Sequence, residues 1–339
     1  MILSMFSDSG SMTHSITIIL PVYQGSATLW SLLEAIVPLT ETTTTAQGNT
    51  LCVAEVLLVD DNGPDDSAKT IRQLAERHSF VRPVWLSRNF GQHAATLAGM
   101  ASSTAEWIVT LDEDGQHDPA SIADMLDVAI DQGSAVVYAA PTNAPPSHNW
   151  FRNSTSKMAK IIFAQVLCSG PAIPYHSYRL MLGDVGRSVA AYAGSGIYLD
   201  VALSWVNNSV ATCPVTLSSE GDRPSGYSVR NLASHFWRLV LSSGTRPLRI
   251  MSVIGATFAA IGFVAAGTIF IGRVTGEIQV GGWASLSIMM LVGVGLVLFS
   301  LGLVAEYVGM AATMAMGKPP FLIVTDRQHG PLAKRPTRP

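Results

Sequence analysis

Apolar and polar stretches alternate in the first third of the chain in a strand–helix order. SITIILPVY (15–23) is a short apolar run and reads as a buried strand. ATLWSLLEAIVPL (27–39) carries its apolar positions at helical spacing, whereas TETTTTAQGNT (40–50) is polar, low in complexity and predicts a loop. AEVLLVD (54–60) predicts a second strand, SAKTIRQLAERH (67–78) a helix opened by Ser67, and VRPVWLS (81–87) a third strand. HAATLAGMASS (93–103) follows as a helix and EWIVTLD (106–112) as a fourth strand. This order predicts an α/β fold with a mostly parallel sheet covered by helices on both faces. Ligands of such sheets bind beyond the carboxyl ends of the strands. Three of the expected ends carry marked residues: Pro21-Val22-Tyr23, Asp60-Asp61 and Asp112-Glu113-Asp114.

The pattern changes in the last quarter. Residues 250–272 and 278–305 hold no charged side chain, and each run is bracketed by charges, Arg249 and Arg273 in one case and Glu277 and Glu306 in the other. About 20 apolar residues suffice to cross the hydrocarbon core. The expectation is a transmembrane hairpin over 248–306, with spans near 250–272 and 283–305; a pair of buried core helices is the alternative. Gly255, Ala259, Gly262, Gly293, Gly295 and Gly302 suit close packing of two membrane helices. Basic residues flank the outer ends, with Arg238, Arg246 and Arg249 before the first run and Lys318, Arg327, Lys334, Arg335 and Arg338 after the second. This bias puts both outer ends in the cytosol. VRNLASHFWRLVLSSGTRPLR (229–249) mixes apolar and basic positions and predicts an amphipathic helix at the headgroup level. NWFRNSTSKMAKIIFAQVL, with Arg152 and Lys157, has a similar character and is equally well an ordinary surface helix. The expected division is a disordered leader (1–15), a cytosolic domain (16–228), an interfacial helix (229–247), the hairpin (248–306) and a cytosolic tail (307–339).

Composition adds little to this division and excludes several classes. Hydrophobic residues make up 48% of the 339 and the mean hydropathy is +0.32, an average dominated by the last quarter. A net charge of -3 gives no reason to expect nucleic acid as a partner. Cys52, Cys168 and Cys213 are odd in number and show no CxxC spacing, which fits a reducing compartment better than a disulfide framework or a zinc site. The N-terminal MILSMFSDSGSMTHS lacks the basic start and long apolar stretch of a signal peptide.

LDEDGQHDP (111–119) crowds three consecutive carboxylates, Asp112, Glu113 and Asp114, with Asp118 close behind, after an apolar strand. An EF-hand loop does not fit, because Gly63 and Gly115 come too early and no Glu follows at the required distance. There is no GxxxxGK[ST] and no complete dinucleotide fingerprint. Period-2 alternation places Asp112 and Asp114 on one side, with Glu113 pointing away. Carboxylates so placed suit an oxygen-liganded divalent cation that neutralises a departing diphosphate.

In the order ILPVY, VLLVDDNGPDDS, LSRNFGQHAATLAG, LDEDGQHDP, SYRL, SLGLVAEYVG and KPPFLIV, the chain resembles the membrane-anchored family-2 glycosyltransferases. It is most similar to the polyprenyl-phosphate group that includes dolichol-phosphate mannose synthase and bacterial relatives with two C-terminal spans. The resemblance implies a GT-A-like nucleotide-sugar-binding fold and an inverting, metal-dependent transfer of one sugar to a polyprenyl phosphate at the cytosolic leaflet. It assigns Mg²⁺ or Mn²⁺ to Asp114 and Gln116, with Asp112 as a further metal or nucleotide contact. Pro21, Tyr23 and Asp60 are placed around the base and ribose, and Asp61 either there or as a loop carboxylate. Gly25 stands where guanine-specific relatives carry Glu, which tilts the donor towards a uridine nucleotide rather than GDP-mannose. Arg88 and Arg179 are either contacts beside the metal or structural ion-pair arginines. Arg223, in a loop resembling the family's R-x-x-G-x-S, is assigned to a phosphate, while Arg152, Lys157 and Arg230 face the lipid. The family's Lys after that Ser is missing here, and its Asp ahead of the F-R-L segment has no counterpart in IPYHSYRL; His176 reads as an interfacial histidine. The implied partners are the nucleotide sugar, the lipid phosphate, the bilayer and further copies of the chain, relatives often being tetramers. The competing readings are a processive polysaccharide synthase, which lacks its QxxRW segment here, and a non-catalytic sensor, for which a degenerate acidic motif is expected.

Overall fold

A computed structural model describes residues 13–142, 176–194, 199–206, 209–218, 246–275, 282–317, 319–326 and 328. They divide into two compact units, one within 1–157, 172–226 and 319–339, the other within 158–171 and 227–318.

The first unit is built on one nine-stranded sheet. Its strands are β1 (His14–Val22), β2 (Thr43–Thr44), β3 (Thr50–Asp60), β4 (Val81–Leu86), β5 (Trp107–Thr110), β6 (Val136–Pro141), β7 (Arg179–Leu182), β8 (Val210–Val215) and β9 (Ile323–Val324). The order is β8-β6-β7-β5-β1-β3-β4-β9, with β2 beside β3. The strands β4, β3, β1 and β5 are mutually parallel, as are β6 and β8; β2, β7 and β9 run antiparallel to their neighbours. The sheet is therefore mixed and mostly parallel.

Apolar runs rather than alternating ones build the centre because both faces are covered. Ile16, Ile18, Leu20, Val22, Val56 and Leu58 point to one face, where they pack with α1 (Leu29–Ile36), α2 (Ser67–Arg77) and α4 (Ile122–Asp131). Ile19, Leu57 and Val59 point to the other, against α3 (Gln92–Ser102), α5 (Gly183–Tyr192) and α6 (Leu199–Val206).

All four strands expected from the sequence are present, as are the three helices between them. Two differences have physical causes. The Thr-rich segment 40–50 is held in place: Thr43–Thr44 pairs with β3, and the buried carboxylate of Asp127 accepts bonds from the Thr45 hydroxyl, the Gln47 N–H at 3.1 Å and the Asn49 amide at 2.8 Å. The partner lies some 80 residues away, beyond the reach of any local pattern. The sheet also continues past Asp112 into β6, β7, β8 and β9, whose brevity leaves little periodicity to read.

The second unit contains two long helices, α7 (Arg246–Val274) and α8 (Trp283–Ala315). Within α8, Val292–Ala312 has the length and mean hydropathy (1.9) to cross a membrane, and only 6% of that stretch is buried. This window runs past the expected end at 305 and includes Glu306. In α7, Met251–Gly262 is a shorter apolar stretch. Most exposed side chains described on both helices are apolar, among them Ile261, Val264, Leu286, Met290 and Leu298. The expected leader lies outside the described residues up to position 12, as do the basic stretch 149–167 and the interfacial helix up to 245.

Asp127→Ala leaves the Thr45 hydroxyl, the Gln47 N–H and the Asn49 amide without their acceptor. The expected cost is about 1–3 kcal/mol, as for buried groups left unsatisfied. It should appear as a lower melting temperature and faster proteolysis within 40–50, and an unchanged melting curve would show the clasp to be idle.

Candidate active site

Parallel pairing aligns three strand ends on one edge of the sheet. Val22 is in register with Asp60, and Ile19 with Thr110, so the residues following β1, β3 and β5 emerge side by side. The turn after β5 carries the acidic cluster. Asp112, at 25% side-chain exposure, is held on every side: Gln92 Nε2 donates to Oδ1 and Ser177 Oγ to Oδ2. The Asp112 N–H donates to His117 Nδ1 at 3.1 Å, and His117 Nε2 lies 3.9 Å from Oδ2. Because Nδ1 accepts, the neutral His117 ring carries its proton on Nε2. Burial depresses the His117 pKa, against the opposing pull of Asp112 and Asp114. The ring stacks on Tyr178 at 5.0 Å and meets His176 at 5.2 Å. His176 is likewise pushed down, to about 4, by burial and by His117.

Asp114 is exposed, and its Oδ1 accepts the Gln116 N–H at 3.0 Å. The strand has already ended at Thr110, so strand alternation does not set the directions of these carboxylates. A local turn does, closed by the Asp side chain on the backbone two residues on. Glu113 nevertheless points away, as expected. Its carboxylate accepts the N–H of Tyr23 at 2.9 Å and of Gln24 at 3.0 Å, and its carbonyl oxygen accepts the Thr28 hydroxyl. It ties the acidic turn to the end of β1.

Asp112, Asp114 and Gln116 offer two carboxylates and an amide oxygen, the hard donors that Mg²⁺ or Mn²⁺ takes. Among the described residues no group of three or more His, Cys, Asp or Glu could hold an ion. The set fits an ion that keeps coordination positions for a substrate's phosphates rather than one caged by protein alone.

At the neighbouring strand ends, Pro21 is buried within β1 and Tyr23 stands 41% exposed at its end. Asp60 is buried at the end of β3. Asp61 spends both oxygens on backbone: it accepts the N–H of Phe90 at 2.7 Å and of Gly91 at 2.8 Å. Burial raises its pKa, opposed by those two bonds and by the charge of Arg88. Of the two roles open to Asp61, the loop carboxylate is the one its side chain is found performing. Arg88 stacks 4.1 Å from the Phe90 ring and bonds the Asn89 carbonyl at 3.3 Å, at the exposed edge. Gly63 allows the Asp60 loop to close on β1, since a Cβ there would lie 1.6 Å from the Tyr23 carbonyl oxygen.

Of the two roles open to Arg179, the ion pair is the one its side chain is found in. It is 4% exposed, pairs through Nη1 with the equally buried Asp200, and donates Nε to Thr110 Oγ1 at 3.2 Å. Tyr138 completes the group by donating to Asp200 at 3.0 Å. This is the structural ion pair: the charge is compensated inside the core beneath the acidic turn. Arg223, Arg152, Lys157 and Arg230 lie outside the described residues. Sequence reasoning missed Gln92, His117 and Ser177, the three side chains around Asp112. His117 stood inside the acidic motif, but nothing local distinguishes a histidine facing inwards from one in water.

Comparisons with known proteins place these strand ends within a family domain. The family model described as glycosyl transferase family 2 matches residues 17–185. The chain is 29% identical over 338 residues to the undecaprenyl-phosphate 4-deoxy-4-formamido-L-arabinose transferase of Sodalis glossinidius, covering 94% of this chain and 96% of that protein. The transferase of the same description from Klebsiella pneumoniae is 29% identical over 325 residues, covering 91% and 92%. Among solved structures, glucosyl-3-phosphoglycerate synthase from Mycobacterium tuberculosis is similar at 17% identity and a TM-score of 0.47, over 69% of this chain and 80% of that one. Mannosyl-3-phosphoglycerate synthase from Rubrobacter xylanophilus is similar at 14% identity and a TM-score of 0.49, over 70% and 74%. Residues 17–185 therefore form a glycosyl transferase family 2 domain, and the chain is a glycosyltransferase.

Proposed function

We propose that the protein transfers a single sugar from a nucleotide-sugar donor to a polyprenyl phosphate at the cytosolic face of a membrane, with inversion and with a divalent cation. The observation that carries this reading is the extent of the likeness to the undecaprenyl-phosphate transferases, which spans 94% of the chain and so includes both long helices as well as the catalytic domain. Asp114, Gln116 and Asp112 would hold the cation, which supplies positive charge to the departing diphosphate. Gln92 and Ser177 keep the Asp112 carboxylate oriented, while His117 accepts the backbone N–H of the same residue. The acceptor brings its own nucleophile, because a phosphate monoester with a second pKa of about 6 is largely dianionic near neutral pH. A phosphate oxygen then attacks the anomeric carbon opposite the leaving diphosphate, and no protein base is required. A uridine nucleotide is favoured as donor, because Gly25 stands where guanine-specific relatives carry Glu.

Two features support a membrane hairpin with both ends cytosolic. The first unit holds residues on either side of 227–318, as expected if that segment leaves and re-enters on one side of a membrane. Basic residues also flank its two ends. Homo-oligomerisation belongs to the same reading.

The direct test combines purified protein, Mg²⁺ or Mn²⁺, UDP-sugars or GDP-mannose, and extracted polyprenyl phosphate. One glycolipid carrying a single sugar is expected. Polymer would favour a processive synthase, and no product with any donor would reject the reading. Asp114→Asn should lower turnover by about 10²–10³ with an unchanged melting curve, since the side chain is exposed and acts on developing charge. Near-normal turnover of this variant after EDTA treatment and Mg²⁺ resupply would remove the metal from Asp114.

Arg223 is assigned to one of the phosphates, and a guanidinium there can make two parallel bonds that Lys cannot. Arg223→Ala should cost about 2.7–4 kcal/mol of transition-state stabilisation and Arg223→Lys a large part of it, read from kcat/KM. A loop arginine facing solvent would change this by less than about 0.5 kcal/mol. For topology, a cysteine replacing Gly276 should react with an impermeant thiol reagent outside intact cells, and one replacing the exposed Gln132 only after lysis. Labelling of position 132 from outside would overturn the orientation.

A further inference from the structure

Thr110, Arg179 and Tyr138 stand directly opposite one another on β5, β7 and β6, so their side chains share one face of the sheet. All three are buried. Asp200, from α6, meets them there: Arg179 pairs with it through Nη1, and the Tyr138 hydroxyl donates to it at 3.0 Å. A buried ion pair adds little net stability, because desolvating two charges offsets their attraction. What this one fixes is direction. The guanidinium is a planar fork, so holding Nη1 on Asp200 sets where Nε points. Nε donates to Thr110 Oγ1 at 3.2 Å and to the Ser177 carbonyl at 3.3 Å.

Two short pieces of chain, 110–112 and 177–179, are laced together at this point. The Thr110 hydroxyl donates to the Ser177 carbonyl at 2.5 Å, and the Ser177 hydroxyl donates to Asp112 Oδ2. Ser177 thus has its peptide held from the core and its side chain on the acidic turn. Tyr178 packs on the opposite face, where its hydroxyl donates to the Asp118 carbonyl at 2.9 Å and its ring stacks on His117. The segment SYRL (177–180) therefore grips the acidic turn at both ends, at Asp112 through Ser177 and at Asp118 through Tyr178, while Arg179 holds the segment itself.

We propose that Thr110 and Arg179 are positioning residues for Asp112: by holding the Ser177 carbonyl from the buried side, they aim the Ser177 hydroxyl at Oδ2 and fix the direction in which that carboxylate faces the substrate. This rests on the reading above in one respect, that Asp112 serves the donor's nucleotide or its cation. Both residues act through Ser177, so their effect disappears once the Ser177 hydroxyl is removed.

The test uses the full-length protein in detergent and follows Mn²⁺ by electron paramagnetic resonance as it binds together with UDP or GDP, whichever the wild type takes. Ser177→Ala should weaken binding by about tenfold, the scale of one charge-assisted bond. Thr110→Val keeps the shape of the side chain and loses its hydroxyl. It should weaken binding by about fivefold, yet by less than about twofold in the Ser177→Ala background. Thr110→Ser restores the donor and should bind within about twofold of wild type. A merely structural role would lower the melting temperature of Thr110→Val and leave the Mn²⁺ affinity of the folded protein unchanged. Wild-type affinity in Thr110→Val overturns the proposal, as does the same loss in both backgrounds. If Thr110→Val does not fold, Arg179→Lys takes its place under the same two criteria, since it keeps a cation for Asp200 but has no Nε–H for Thr110 and Ser177. Asp112→Ala separates the proposal from the reading beneath it. Wild-type binding of Mn²⁺ and nucleotide by that variant overturns the role of Asp112 itself, whereas a loss there with unaltered binding in Thr110→Val overturns the positioning alone.

Discussion

The central strands of this sheet have no free face. Ile16, Ile18 and Leu20 are buried against one helical layer, and Ile19, Leu57 and Val59 against the other. Any polar chemistry on β1, β3 and β5 is therefore confined to their ends, and parallel pairing puts those ends on the same edge. Burial of both faces is thus what assembles the site, well before any individual contact. Its carboxylates need only follow directly after an apolar run.

Within that edge the acidic residues divide their labour by what each can reach. Glu113 closes on two amides of the β1 loop, Asp61 on two amides of the loop after β4, and Asp112 is held by three side chains. All but the His117 bond, which takes the Asp112 backbone N–H, are hydrogen bonds to ionised carboxylates, individually stronger than neutral ones, and together they join three loops with no regular structure of their own. Asp114 remains at the surface of the cluster. A chain with 13% charged residues thus uses several of its carboxylates as ties for a site and exposes few of them to act.

Arg179 and Arg72 show how one residue type serves different ends in the same fold. Arg179 is compensated by Asp200 and Tyr138 deep in the core, where an unpaired charge would be costly. Arg72 lies nearer the surface, where its guanidinium forks onto Asp326 and lies over the Trp85 ring.

The α/β order, the acidic turn and the apolar character of the last quarter were legible in the residues because each is local: a run, a period, a spacing. Glu113 pointing away from Asp112 and Asp114 was also legible, although the turn rather than the strand is the reason. The clasp of Asp127 on the Thr-rich loop, the shell of Gln92, His117 and Ser177 around Asp112, the burial of Arg179 and the return of Asp326 to Arg72 were not. In these contacts the partners stand from 5 to 254 residues apart, and even the nearest, His117, acts through a ring direction that packing against Tyr178 decides. Sequence alone determines which segments must be buried and which residue types stand at their ends. Only the tertiary structure decides which of those charges face each other, because that depends on strand order and register, and neither is written in any one segment.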